Sequence, residues 1–305
     1  FFLYSKHEVG NDSTISEWLI NYSGGFTKRG IIGHISIFLS RIFDQNLRDV
    51  IYIFQISIIG IYFLLTYSFF KNIVLERYFL LCIFTPIFLI YPVAEVEVLG
   101  RKEIFIFVLF ILHCSIPAKN KGLLRTSKLL LLPLSILIWE PVLFFIPLWI
   151  FIDLVTHKIK NFDKKLISEL FYYFPSIVIS GIFIFNFLSP EQHMQMEMVL
   201  KNEFNEICYM SCALLKDKSS IYQQFQGNFG KYSIEIFIRY ILIILIGFGP
   251  LFTLIFFSQL KENKIIFLKF FKKNNLLFFY LILLSPVLLL FAMGYDWGRW
   301  VNISY

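Results

Sequence analysis

The sequence predicts an all-α, polytopic helical membrane protein with about 8–10 membrane segments, one a short broken hairpin, and polar loops facing outward. Composition is the first reason. Hydrophobic residues make up 57% of the 305 and charged residues 16%, where soluble domains carry about 25% charge. Mean hydropathy is +0.69. The second reason is the recurrence of apolar runs, at 50–70, 78–94, 103–117, 129–155, 169–189, 234–257 and 276–293. The third is what those runs lack. An outer-membrane strand alternates apolar and polar residues in segments of roughly ten, and these runs do not alternate.

Taken in order, residues 5–30 read as a polar loop holding His7, Glu8, Asp12 and Glu17, then Gly24-Gly25-Phe26-Thr27-Lys28-Arg29-Gly30. Residues 30–43 are amphipathic and too short to span, which suits a helix lying along the membrane interface. Loop lysines set the orientation. Lys119, Lys121, Arg125 and Lys128 precede the run at 129–155; Lys158, Lys160, Lys164 and Lys165 follow it; Lys261, Lys264, Lys269, Lys272 and Lys273 precede the last run. By the positive-inside rule these loops are cytoplasmic. Residues 190–233 form a long, near-neutral loop assigned to the outside, together with 44–49, 95–102 and 294–300. The net charge of +7 is a matter of topology and does not predict nucleic-acid binding. No internal repeat or low-complexity linker divides residues 1–305, so a single membrane domain is expected. The chain opens on Phe1 with the apparent tail of a helix, and is expected to be a fragment.

The run at 129–155 enters and leaves on basic flanks and holds Trp139-Glu140-Pro141 at its middle. Proline ends a helix and a carboxylate resists deep burial. Two short helices meeting at Trp139–Pro141 near the outer surface satisfy both constraints. A single tilted helix is the alternative, and would invert half of the topology.

This topology gathers the unusual polar residues on one face: Lys28 and Arg29; Glu95, Glu97, Arg101, Lys102 and Glu103; Trp139 and Glu140; Asp296 and Arg299, within Gly294-Tyr295-Asp296-Trp297-Gly298-Arg299-Trp300. Ionisable residues at a membrane boundary are costly and mark functional sites. Lys28, Arg29, Arg101 and Arg299 are candidates to bind substrate phosphate, since guanidinium groups grip phosphate oxygens bidentately. Asp12, Glu140 and Asp296 are candidate catalytic bases for a sugar hydroxyl. Trp139 is a candidate sugar-stacking residue. Simpler roles compete: headgroup binding for Lys28 and Arg29, a local ion pair for Arg101 with Glu103, a helix-start role for Glu140, an Asp296–Arg299 pair, and interface anchoring for the tryptophans. His7, His34 and His113 have no metal-ligand spacing, and His113 reads as a hydrogen-bonded core residue. Cys82 and Cys114 read as packing residues. Cys208 and Cys212 suit a local disulfide or one face of a helical turn. No metal and no cofactor is called for.

The ensemble resembles the lipid-linked sugar enzymes of bacterial envelopes, of the O-antigen polymerase type or the C-type glycosyltransferases. The likeness is one of architecture over most of the chain: many helices, outward loops rich in arginine and acids, one long outer loop. It implies glycosyl transfer or glycan polymerisation on the outer face of the cytoplasmic membrane, with a polyprenyl-phosphate-linked sugar as substrate and membrane lipids as surroundings. In the C-type enzymes the first outer loop bears a catalytic acid, and Asp12 or Glu8 falls in the matching loop. The adjacent pair of acids common in that family is absent here. The competing class is a transporter or flippase for an anionic or lipid-linked substrate, which predicts broken helices in paired halves.

Overall fold

A computed structural model describes residues 1–8, 13–71, 77–157, 164–207, 209–213, 215, 221–257, 281–294 and 296–305. The described residues are helical or irregular, with no strand among them. Contacts divide the chain into two compact units.

Unit 1 comprises residues 1–72, 96–143 and 171–218. Its helices are α1 (Phe2–Glu8), α2 (Ser13–Leu19), α3 (Gly30–Phe43) and α4 (Leu47–Phe70), then α7 (Glu103–Cys114), α8 (Lys121–Ile138), α11 (Phe174–Phe185), α12 (Pro190–Phe204) and α13 (Met210–Ala213). Helix α7 packs on both α4 and α8, α8 also on α11, and α3 on α2 and α4. Fully buried Trp18, Ile51, Leu132, Ile136 and Trp139 fill the interior.

Helix α4 is apolar on the wrong face for water. Ile53, Ile56, Ile61, Leu64 and Tyr67 point outward, while Gln55 and Thr66 are buried. Gln55 donates to the carbonyls of Thr14 and Gly100, at 2.8 and 3.0 Å. Helix α3 repeats the pattern, with Gly33, Ser36 and Ser40 inward and Ile35, Phe38, Ile42 and Phe43 outward. Large apolar residues facing outward, with polar residues among the buried ones beside Leu47, Ile51, Ile58, Ile32 and Ile37, suit helices solvated by hydrocarbon. Among the described residues two helices, α4 and Ile234–Thr253, are long and apolar enough to cross a membrane. A third candidate is the pair α11 and α12, bent by 100° at the break between them.

Other apolar runs are interrupted. Within 78–94 only α5 (Arg77–Ile83) and the single turn α6 (Tyr91–Ala94) are α-helical, because Pro86 and Pro92 interrupt the hydrogen-bond ladder. The break expected at Trp139 is present: α8 stops at Ile138, Trp139 is extended at φ −154°, and a 3₁₀ segment runs over Glu140–Phe145. The segment beginning at 190 is not an irregular loop. Ser189 and Gln192 cap α12 reciprocally, the capping box. Cys212 is disulfide-bonded and buried with Ile20, Leu188, Met196 and Leu215; Cys208 lies outside the described residues. Arg48 fastens the same segment by donating to both carboxylate oxygens of buried Glu206, to Tyr209 Oη at 3.1 Å and to His7 O at 2.7 Å. Lysine keeps the charge but loses the fork, so Arg48→Lys is expected to cost about 1.5–3 kcal/mol, read as a lowered unfolding midpoint of the detergent-solubilised protein.

Unit 2 comprises residues 73–95, 144–170 and 219–305. Besides α5 and α6 it holds α9 (Ile146–His157), nearly all of α10 (Lys164–Phe171), α14 (Ile221–Phe229) and α15 (Ile234–Phe257), and α15 packs on α5 and on the C-terminal helix Trp297–Ser304. Thr85 Oγ1 donates to Gly247 O at 2.9 Å, and Asn302 Nδ2 to Ile87 O at 2.9 Å. Trp297 sits among Tyr232, Phe237, Tyr240 and Phe291.

Candidate functional site

A buried polar cluster of unit 1 is built where four chain segments meet. The first is the turn ahead of α3. Asn21 Oδ1 accepts from Ser23 N at 2.8 Å and Gly25 N donates to Tyr22 O at 3.1 Å, an Asx turn that reverses the chain. Gly24 is required by close packing, since a Cβ there would lie 1.9 Å from Gln192 O on α12. Gly30 is required likewise, by the Tyr22 ring 2.2 Å away. Arg29, between them, is in the left-handed region (φ 62°, ψ 7°) as the N-cap residue of α3. Only asparagine, aspartate and glycine visit that region readily, so Arg29 is held there at a cost of about 1–3 kcal/mol.

Glu140 is the second element. As the first residue of the 3₁₀ segment after buried Trp139 it points its carboxylate at Arg29. Nε donates to Oε2 at 2.7 Å and Nη2 to Oε1 at 2.9 Å, a two-bond fork. Lys28 Nζ lies 3.9 Å from the same Oε1. Glu17 on α2 is the third element, its Oε1 3.7 Å from Arg29 Nη1.

Lys102 is the fourth. It follows the 3₁₀ segment Val96–Gly100, which is anchored by bonds from Trp18 Nε1 (2.7 Å) and Gln55 Nε2 (3.0 Å) to Gly100 O. Lys102 is fully buried and donates from Nζ to Arg29 O at 2.7 Å. The strained residue is thereby gripped at both ends, side chain by Glu140 and carbonyl by Lys102.

The electrostatics follow from burial. Desolvation brings the Lys102 ammonium down to about 7, its largest influence, with Arg29 adding to the fall and Glu17 and Glu140 opposing it. The Glu140 carboxylate faces two cations, Arg29 through the fork and Lys28 at 3.9 Å. Burial pushes the Tyr22 phenol up to about 12, and its hydroxyl has no hydrogen-bond partner among the described residues. With Lys102 protonated, Lys28, Arg29 and Lys102 outnumber Glu17 and Glu140 by one positive charge. Such an arrangement can take up an anion at little reorganisation cost.

The structure thus brings together Lys28, Arg29 and Glu140, and adds Lys102 and Glu17; Trp139, next to Glu140 in the chain, is fully buried and presents no open ring face for a sugar. Arg101, in the same unit, is largely buried and reaches Glu97 at 3.3 Å, one helical turn back. Asp296 and Arg299 belong to unit 2. There Asp296 precedes the C-terminal helix without capping it, accepts from Arg299 Nη1 at 3.2 Å, and Arg299 lies over the Trp300 ring, the mutual pair considered above. Asp12 lies outside the described residues. His113 Nδ1 is hydrogen-bonded to Ser127 Oγ at 2.8 Å and buried, and Cys82 and Cys114 are free thiols. Among the described residues no group of His, Cys, Asp and Glu is arranged to hold a metal. Lys102 was among the polar residues gathered on one face by the sequence, but was not singled out there as a binding residue; the signal was a lysine directly ahead of an apolar run.

No protein-family model matches the chain, and neither the curated proteins nor the solved structures contain a match.

Proposed function

We propose that this chain is a multi-pass protein of the bacterial cytoplasmic membrane that transfers or polymerises sugars on its outer face, using polyprenyl-phosphate-linked or polyprenyl-diphosphate-linked donors. The observation that supports this most is the Lys28–Arg29–Lys102 cluster, partly sealed from water and cationic in excess when Lys102 is protonated, at the end of helices whose outward faces are apolar. Arg29 and Lys28 hold the donor phosphate, and Glu140 is the base nearest to it. In the step itself the acceptor hydroxyl oxygen bonds to the anomeric carbon. The bond from that carbon to the phosphate oxygen breaks, its electron pair remaining on the phosphate, and the hydroxyl proton passes to the carboxylate. Cations fixed beside the departing phosphate stabilise the charge it gains. The second-unit pair Asp296–Arg299 and the first-loop Asp12 keep the candidate roles given above.

Arg29→Lys keeps the charge and removes the fork. Cells carrying this variant are expected to lose long surface glycan, with transfer down roughly 10²–10³-fold, while the protein still accumulates folded, its stability lowered by about 1.5–3 kcal/mol for the lost fork. Glycan of wild-type length from Arg29→Lys cells would sink the proposal.

A further inference from the structure

We propose that the Glu140 carboxylate is a resident stand-in for a phosphoryl group on Arg29, which the substrate phosphate must displace, and that this displacement is what frees Glu140 to act as a base. The inference rests on the phosphate-binding part of the function proposed above.

Three observations lead to it. The Arg29–Glu140 fork, with N···O distances of 2.7 and 2.9 Å, has the two-bond geometry that a guanidinium also offers to two oxygens of a phosphate. Glu140 Oε1 is faced by a second cation, Lys28, at 3.9 Å, which a phosphate seated on the fork would also meet, while Glu17 stays beside Arg29 Nη1 at 3.7 Å. The guanidinium is also built to stay in place when its partner changes. Its backbone is pinned in the left-handed region as the N-cap of α3, with its carbonyl held by Lys102 Nζ at 2.7 Å. Glu140, by contrast, opens a short 3₁₀ segment behind an extended residue, where a change of side-chain rotamer leaves the flanking helix α8 untouched. The arrangement couples binding to reactivity: without donor, the carboxylate is spent on Arg29; with donor, the phosphate takes the fork and the carboxylate is released beside the sugar.

The test measures anion binding by the purified full chain, by calorimetry with inorganic pyrophosphate in detergent and with polyprenyl phosphate in lipid vesicles. Removing the resident competitor by Glu140→Gln is expected to tighten binding roughly 10- to 100-fold, even though the variant no longer transfers sugar. Arg29→Lys is expected to lose the gain when combined with it. Tightening with both probes makes the free phosphoryl group sufficient, and tightening with the lipid probe alone makes the lipid carrier the ligand; either supports the stand-in. Unchanged or weaker binding by a folded Glu140→Gln protein, or no binding of either probe, overturns it. If Glu140→Gln does not fold, infrared difference spectra of the wild type keep the question open to decision: the carboxylate stretching band must shift when phosphate is added, and a band that stays put refutes displacement. Tightening without any glycan transfer by the wild type refutes the glycosyl-transfer reading and leaves the phosphoryl seat standing. Transfer by the wild type without tightening does the reverse.

Discussion

Arg29→Ala is expected to destabilise unit 1 by about 3–5 kcal/mol, because it strands a carboxylate in a place built for an ion pair. Glu140 and Arg29 side chains are 22% and 14% exposed, so solvent relieves only a little of that cost. The loss extends beyond Glu140, since Glu17 also faces Arg29 and is buried. A double variant separates charge from shape. Arg29→Met with Glu140→Leu removes both charges of the fork, and removal of both partners of a buried pair is often near neutral. The double variant should therefore recover much of the stability that Arg29→Ala loses. Chemical denaturation in detergent micelles reads both. A loss below about 1 kcal/mol for Arg29→Ala would place the pair in the class of exposed surface bridges.

Lys102 makes stability depend on pH in an unusual direction. Its ammonium sits near 7 when folded and at 10.5 when exposed. Below about 7 both states are charged, and the folded state bears the whole cost of the desolvated ammonium. Between 7 and 10.5 the unfolded chain binds the extra proton, so stability rises with pH, by at most about 1.4 kcal/mol per unit and of the order of 5 kcal/mol in all. Above 10.5 both are neutral and the gain is complete. Denaturation midpoints at pH 7, 8 and 9 should climb in the wild type and stay flatter in Lys102→Met. Equal slopes in the two proteins would show that Lys102 is not the group responsible. An anion bound at Arg29 should raise the Lys102 ammonium and reduce the slope.

Much of the architecture was legible because hydrocarbon imposes simple rules. The long apolar runs at 50–70 and 234–257 became α4 and α15, and Trp139-Glu140-Pro141 did end a helix. Runs containing internal prolines, such as 78–94, were harder to read, because hydropathy counts side chains and takes no account of lost amide donors. The polar segment after residue 190 looked like a loop from its charges, yet its capping box and the buried stripe His193, Met196 and Leu200 specify a helix. For the candidate site, Lys28, Arg29 and Glu140 were legible singly, as charges that a membrane boundary tolerates only for a reason. Their pairing across 111 residues was not, because a single sequence carries no distances. Lys102 was legible as one of the gathered charges, but its role was not, because that depends on which carbonyl it reaches.

Transfer by the purified protein tests the central claim most directly. The chain is reconstituted into vesicles with lipid-linked glycan extracted from the source cells, and the growth of lipid-linked glycan and release of polyprenyl phosphate or diphosphate are followed. We expect the wild type to lengthen the glycan and liberate the lipid carrier in equal amounts, and Arg29→Lys to do so at least roughly 100-fold more slowly. A wild type that liberates no carrier, or an Arg29→Lys protein that matches it, would contradict the account.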